Sequence, residues 1–93
     1  MIVSFACKKT AALWHGTSTA KEFRAFKDVA ERKLVQLNAV AVLLDLASPP
    51  GNKLEKLSKD RGGQHSILIN GQWRVCFRWT PQGPADVEIV DYH

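Results

Sequence analysis

The run HSILINGQWRVCFRW at positions 65–79 constrains the fold of this chain more than any other stretch. Two segments rich in β-branched and aromatic residues flank Asn70 and Gly71, a dipeptide suited to the positive φ angles of a tight hairpin turn. Because strand side chains alternate between two faces, the second segment predicts an apolar face made of Trp73, Val75, Phe77 and Trp79. The other face then carries Gln72, Arg74, Cys76 and Arg78.

Two registers are open for this hairpin. A two-residue turn pairs Ile69 with Gln72, whereas a three-residue loop with a bulge puts Ile67 and Ile69 on the same side as Val75. Matching of apolar side chains favours the bulged register.

The residues before the hairpin predict a strand and two helices. Ile2, Val3 and Phe5 form a β-branched and aromatic opening typical of a short strand, and KTAALWHG predicts a short helix that Gly16 ends. Ser18 or Thr19 is the expected N-cap of a second helix, whose apolar positions recur at three- and four-residue steps: Phe23, Phe26, Ala30, Leu34 and Leu37.

SPPGN at 48–52 is expected to end the helical part, since consecutive prolines remove backbone donors. The remainder predicts β structure closed by a strand over residues 86–92. We therefore expect an α+β fold in which two N-terminal helices pack on a three- to five-stranded, mainly antiparallel sheet. Ninety-three residues with 45% hydrophobic content suit one domain spanning residues 1–93.

Composition also bounds the surroundings of the protein. Cys7 and Cys76 lack metal-type spacing, no cofactor motif is present, and the N-terminus has no export-signal layout, so a cytoplasmic location is expected. The near-apolar run at 39–47 is shorter than the roughly 20 residues that a membrane span requires, and it contains Asp45. It predicts a core or partner-facing helix segment and no membrane association.

Basic residues cluster around the hairpin. Thirteen Lys and Arg against nine Asp and Glu give a net charge of +4, which favours anionic partners without choosing between RNA, DNA and an acidic protein. Within one sheet, six cations would line a concave phosphate-binding surface: Lys53, Lys56, Lys59, Arg61, Arg74 and Arg78. For the lysines singly, a solvated surface is the simpler interpretation. Arg74, in a nearly central strand, needs a partner or a ligand.

The tail Asp91, Tyr92 and His93 carries groups able to move protons. RNA cleaves itself when a base deprotonates a 2′-OH that attacks the neighbouring phosphorus, cations stabilise the added charge, and an acid protonates the leaving oxygen. Imidazole suits either proton role, a phenol donates more readily, and a carboxylate orients. The alternative, in which Asp91 caps a turn and the other two are ordinary terminal residues, stays open.

Other candidate side chains have structural interpretations. Trp14, Trp73 and Trp79 are able to stack nucleobases but are expected in the core, and His65 is expected to be structural or exposed.

Taken together, NKLEKLSKDRGGQHSILINGQWRVCFRW and the terminal DVEIVDYH resemble the HigB-type toxins of the RelE superfamily, the plasmid-maintenance killer proteins. The resemblance implies a metal-independent endonuclease that cuts mRNA in the ribosomal A site. It also implies a HigA-type helix-turn-helix antitoxin, through which alone operator DNA is bound. Carried over, the functional positions are Arg74, which would hold the scissile phosphate, and Asp91, Tyr92 and His93.

Some positions depart from the pattern of that family. Where many relatives have His-Pro-Leu-Lys-Gly-Asp this chain has EKLSKD, which puts Glu55 and Ser58 at a histidine and a basic position, and Gly62 and Leu68 stand where Lys and Arg are common. Two alternatives therefore remain: a non-enzymatic inhibitor of a protein target, as the ParE-like gyrase poisons are, and a degenerate toxin that only binds its antitoxin.

Overall fold

The computed structural model describes residues 1–92, in which two helices pack on one face of a four-stranded antiparallel sheet. The helices are α1 (Lys8–His15) and α2 (Lys27–Ala39). The strands are β1 (Glu55–Lys56), β2 (Gln64–Leu68), β3 (Trp73–Thr80) and β4 (Gly83–Asp91), and they lie in the order β1-β2-β3-β4. The predicted α+β class is confirmed.

The β2–β3 hairpin adopts the three-residue loop. Ile67 pairs with Val75, and the Ile69 N–H donates to the Trp73 carbonyl at 2.9 Å, so both isoleucines lie on the core side. The Asn70 side-chain oxygen fixes the loop by accepting hydrogen bonds from the N–H groups of Gln72 (2.8 Å) and Trp73 (2.9 Å). The register favoured by hydrophobic matching is confirmed.

The apolar stripe of the second helical segment is buried along its whole length, as predicted: Phe23, Phe26, Ala30, Leu34 and Leu37. It packs in one cluster with sheet residues Ile67, Val75, Phe77, Val87 and Ile89. Fully burying a large aliphatic or aromatic side chain contributes about 1.5–3 kcal/mol. This cluster therefore holds the two α-helices on one side of the sheet. The opposite side, which carries Arg74, is here called the open face.

The helix starts differ in part from the prediction. Gly16 ends α1 as expected, in the left-handed conformation at φ 73°. The second helical segment begins as a 3-10 helix over Lys21–Phe26 with Ala20 as N-cap, so the prediction of Ser18 or Thr19 as the cap was wrong. Because residues three apart eclipse in a 3-10 helix, this geometry puts Phe23 and Phe26 on one side, against Trp73.

The predicted opening strand is reduced to one isolated parallel bridge, Phe5 to Val87. The neighbouring part of β4 is irregular: its register shifts opposite Cys76–Arg78, and Asp86 takes a positive φ of 51°. The Asp86 N–H donates to the Ser4 hydroxyl at 2.9 Å, which replaces a ladder bond by a side-chain bond.

Helix α2 also ends earlier than expected, at Ala39. The near-apolar run at 39–47 then continues as a separate 3-10 helix, Leu43–Ala47. The buried Asn52 amide ties this run to α2, because it donates to the Leu46 carbonyl (3.0 Å) and to the Gln36 side chain (2.9 Å). Short 3-10 turns at Pro50–Asn52 and Lys59–Arg61 also depart from the purely β expectation. Within residues 1–92, no helix has the length and hydrophobicity of a membrane span.

Candidate functional site

Arg74 is the centre of the candidate site on the open face. Its side chain is only 5% exposed, its Nη2 donates to the Lys53 carbonyl at 2.8 Å, and its Nη1 lies 3.4 Å from the Glu55 carboxylate. The Arg74 Nε is buried and has no hydrogen-bond partner among residues 1–92. A buried donor without an acceptor costs about 1–3 kcal/mol, so an acceptor at this Nε would stabilise the site.

Two adjacent pockets border Tyr92 on this face. The Arg74 pocket, of about 320 Å³, is lined by Lys53, Glu55, Leu68, Gly71, Arg74 and Tyr92. The Arg61 pocket, of about 380 Å³, is lined by Ser58, Lys59, Asp60, Arg61 and Tyr92. Tyr92 is 43% exposed and lines both pockets, so this residue joins two cationic pockets.

The Arg61 pocket has its own ion pair. Arg61 Nη1 donates to Glu88 Oε1 at 2.9 Å and to Gln64 Oε1 at 3.2 Å, and the hydrogen bond to Glu88 raises the pKa of the guanidinium. Glu88 aligns across the sheet with Cys76, Ser66 and Glu55. Each arginine of the site therefore has a carboxylate beside it: Glu55 for Arg74 and Glu88 for Arg61. The buried residues Ser66 and Cys76 lie between these two glutamates across the sheet.

Gln72 holds the end of β4 beside this site. The Tyr92 N–H donates to the Gln72 carbonyl at 2.6 Å, and the Gln72 side-chain amide donates to the Asp91 carboxylate at 3.0 Å. Asp91 pairs with Trp73, whereas Val90 pairs with Arg74, so alternation directs Asp91 to the face opposite Arg74. Asp91 lines neither pocket, and His93 lies outside the described residues.

The expected continuous surface of six cations needs correction. Lys56 aligns with His65 and Phe77, which puts it on the side of the sheet opposite Arg74. Arg78 shares the open face, but its side chain is half-exposed and pairs with Asp86 at 3.4 Å rather than lining either pocket. Strand alternation thus separates Lys56 from the site, and the ion pair with Asp86 draws Arg78 away from both pockets.

The remaining candidates are structural, as expected. Trp73 packs against Phe26 with ring centroids 5.1 Å apart, and Trp14 and Trp79 pack against the same core. The His65 Nδ1 is buried without a hydrogen-bond partner in residues 1–92, and its ring stacks on Phe77. Burial, and secondly Lys56, lowers the pKa of this imidazole, which keeps it neutral near pH 7.

Sequence inspection missed three participants: Glu55 as the counter-ion of Arg74, Glu88 as the counter-ion of Arg61, and Gln72 as the anchor of the tail. The Gln72 contact had a usable signal. Once the three-residue loop is accepted, Gln72 is the loop residue beside Trp73, and an antiparallel closing strand brings the tail alongside it.

The fold and this site define a small basic α+β domain with an arginine-centred pocket on the open face of its sheet. The family model described as "RelE-like toxin of type II toxin-antitoxin system HigB" matches residues 5–93, and the chain belongs to that family.

Individual proteins resemble the chain to different extents. Toxin HigB-1 of Vibrio cholerae serotype O1 (strain ATCC 39315 / El Tor Inaba N16961) is 44% identical over 62 residues, which are 67% of this chain and 64% of that protein. The match thus spans slightly under two thirds of the relative. Among solved structures, the YoeB–YefM complex from Staphylococcus aureus contains a chain with a similar fold (TM-score 0.57, 16% identity), and the match covers 100% of this chain and 98% of that one.

Proposed function

We propose that this toxin inhibits translation as an endoribonuclease that cuts mRNA in the ribosomal A site. The observation that carries the proposal is the buried, unpartnered Nε of Arg74 at the edge of a pocket that also contains Lys53 and Tyr92. A phosphate oxygen supplies the acceptor that this donor lacks, and planar guanidinium groups bind phosphates through paired hydrogen bonds.

In the proposed reaction the 2′-oxygen attacks the adjacent phosphorus, a new O2′–P bond forms and the P–O5′ bond breaks. Arg74 donates hydrogen bonds to the nonbridging oxygens, where negative charge accumulates. Because the guanidinium is buried, this electrostatic stabilisation is stronger than it would be in water. Tyr92 and His93 divide the two proton transfers. No metal ion or cofactor is needed in this scheme, since the guanidinium performs the charge stabilisation.

We assign Asp91 a different part from the one that the resemblance implies. Its side chain lies on the face opposite Arg74 and accepts a hydrogen bond from Gln72. In the proposed mechanism Asp91 therefore holds the tail in position and does not touch the ribose.

The Arg61 pocket serves in this proposal as the subsite of a neighbouring nucleotide. It shares Tyr92 with the Arg74 pocket, and it offers Lys59 and Arg61 as cations. An aromatic ring between two cationic sites is suited to a bent single strand, since bases stack on aromatic side chains while cations follow the backbone. Lys56 and Arg78 are left out of the subsite because neither lines it.

The partners follow from the same proposal. The substrate is mRNA on the ribosome, and Lys and Arg side chains contact the ribosomal RNA. A HigA-type helix-turn-helix antitoxin binds and neutralises the toxin, and operator DNA is reached only through that complex. The fold shared with a chain of the YoeB–YefM complex supports an antitoxin partner, and the cytoplasm is where all of these partners meet.

Tyr92→Phe tests the proposed chemistry, because it removes only a hydroxyl group. Wild-type expression from a controlled promoter should arrest growth and generate new message ends detectable by primer extension. We expect the variant to lose roughly 100-fold or more of the cleavage, the usual contribution of a proton-transfer group. Full toxicity without new message ends in the wild type would instead favour a ParE-like inhibitor of a protein target.

A matched pair of lysine variants locates the site. Lys53→Gln removes a cation from the Arg74 pocket, whereas Lys56→Gln makes the same change on the opposite face. We expect only the first to slow cleavage, by about tenfold if a bond to a charged group of roughly 1.5 kcal/mol is lost in the transition state. Equal effects would contradict the assignment of the pocket. Wild-type protein that binds its antitoxin but neither arrests growth nor cuts message would identify a degenerate toxin.

A further inference from the structure

We propose that Gln72 is a positioning residue that fixes Tyr92 in the site by coupling the β2–β3 loop to the end of β4. This inference rests on the proposed function, because the group being positioned is the proposed proton-transfer phenol. No role was expected for Gln72 from the sequence.

The clamp has two parts with different chemistry. The Gln72 carbonyl accepts a hydrogen bond from the Tyr92 N–H at 2.6 Å, which adds one contact beyond the last residue of β4. The Gln72 side-chain amide donates to the Asp91 carboxylate at 3.0 Å. Two consecutive residues of the tail are thus bound by one loop residue.

The loop that carries the clamp is itself held firmly. The Asn70 side-chain oxygen accepts from the N–H groups of both Gln72 and Trp73. The Trp73 ring packs on Phe23 and Phe26, with ring centroids 5.8 and 5.1 Å away. A continuous path therefore runs from the aromatic core through the loop to Tyr92.

Position matters here because Tyr92 stands where strands usually fray. Its side chain is 43% exposed, so packing alone gives it little restraint. A catalytic group displaced by about 1 Å loses much of its effect. The Gln72 amide restrains the residue before Tyr92 and, through it, the ring shared by the two pockets.

The decisive variant is Gln72→Ala, which removes the side-chain bond and keeps the carbonyl. We expect amide hydrogen exchange at Tyr92, followed by NMR, to accelerate about fivefold to tenfold, the change that corresponds to one lost hydrogen bond. Turnover in a ribosome-based cleavage assay should fall by a similar factor with KM within twofold. The melting temperature should fall by no more than about 4–8 °C, the shift that one lost hydrogen bond of about 1 kcal/mol produces in a domain of this size.

Gln82→Ala is the matched control. Gln82 lies in the β3–β4 turn, where its backbone N–H donates to the Thr80 hydroxyl, and its side chain is exposed. This variant should leave both Tyr92 exchange and turnover unchanged.

A polarity exchange adds a test that a merely structural role would not pass. Gln72→Glu sets two carboxylates against each other and should speed Tyr92 exchange at pH 7. Combining Q72E with D91N restores a donor and an acceptor in the reverse order, and it should return the exchange rate to within about twofold of wild type.

Three results would overturn the inference: wild-type exchange and turnover in Q72A, reduced turnover with unchanged Tyr92 exchange, or failure of the double variant to restore protection. The second of these would indicate that Gln72 touches RNA directly. A wild-type protein that cuts no message would refute the proposed function, whereas the exchange measurements would still decide whether the clamp exists.

Discussion

At the scale of single residues, the site is defined by how Arg74 and Glu55 share a pocket. The arginine is 5% exposed and the glutamate side chain is 56% exposed, with 3.4 Å between their charged atoms. Exposed ion pairs contribute only about 0.2–1 kcal/mol, so Glu55 is able to turn away at little cost. Arg74 has no such freedom, because a buried cation needs an anion nearby. In the proposed mechanism Glu55 therefore pairs with the Arg74 guanidinium in the free protein until a phosphate replaces it.

Replacement of that carboxylate should strengthen RNA binding. We expect Glu55→Gln to bind a short single-stranded RNA, made uncleavable by 2′-deoxy substitution, about twofold to fivefold more tightly at low salt, because a competing anion worth up to ~1 kcal/mol is gone. Fluorescence anisotropy measures the affinity. The gain should shrink as added salt screens the pocket.

The control for net charge is Glu31→Gln on α2, where the glutamate pairs with Lys27 at 3.9 Å. It changes the total charge by the same amount far from both pockets. Equal gains in the two variants, or weaker binding by Glu55→Gln, would contradict the displacement model.

At the scale of elements, β4 is the critical strand because its end carries the site. Its outer edge is covered by the N-terminal segment, through the bonds from Val3 N–H to the Pro84 carbonyl (2.7 Å) and from Ala6 N–H to the Val87 carbonyl (3.0 Å). Further along, the Ile89 N–H donates to the buried Thr10 hydroxyl of α1 at 3.0 Å. A side chain of a helix thus completes the hydrogen bonding of an edge strand.

Thr10→Val should destabilise the fold while conserving its shape. The methyl group that replaces the hydroxyl leaves the Ile89 N–H buried and unpaired, at a cost of about 1–3 kcal/mol. Urea unfolding followed by circular dichroism measures the change. Thr17→Val, at an exposed hydroxyl that contacts the Ala12 carbonyl at 3.4 Å, should stay within about 0.5 kcal/mol of wild type. A similar decrease in the free energy of unfolding in both variants would show that the Thr10–Ile89 hydrogen bond does not stabilise the fold more than an exposed one.

At the scale of the whole molecule, the sheet separates the helix-covered core side from the open face. The α-helices cover the core side. On the open face, buried residues such as Ser66 and Cys76 lie beside exposed ones such as Glu55. Cys76 lies on the open face with no exposed surface, and burial raises the pKa of its thiol. Cys7 is half-buried at the start of α1.

The reactivity of the two thiols should therefore report on local unfolding of the sheet around Cys76. We expect native protein to react with a thiol reagent at Cys7 only, with a stoichiometry near one, and unfolded protein near two, because a buried thiol with a raised pKa forms little reactive thiolate. Absorbance of the released chromophore measures both. Cys7→Ser should abolish the fast phase. Rapid reaction of Cys76 in that variant would mean that the sheet opens locally far below the free energy of unfolding.

Much of the fold was predictable because it follows from local periodicity. The alternation in β3, the three-residue loop and the apolar stripe from Phe23 to Leu37 each express a fixed geometric repeat. The α2 start and the opening strand were predicted wrongly, since packing against Trp73 and the β4 bulge overrode the local signals. The resemblance to HigB-type toxins, confirmed at family level, drew attention to Arg74 and the tail.

By itself, the sequence determined the fold class, the hairpin, the core residues and the family, because each is written in neighbouring residues or in a short motif. Only the tertiary structure decided which charged groups meet. Glu55 reaches Arg74, Lys56 turns to the other side, and Asp91 faces away from the pocket that Tyr92 borders. Those outcomes depend on the register of several strands at once, and a shift of one residue moves a side chain to the opposite face.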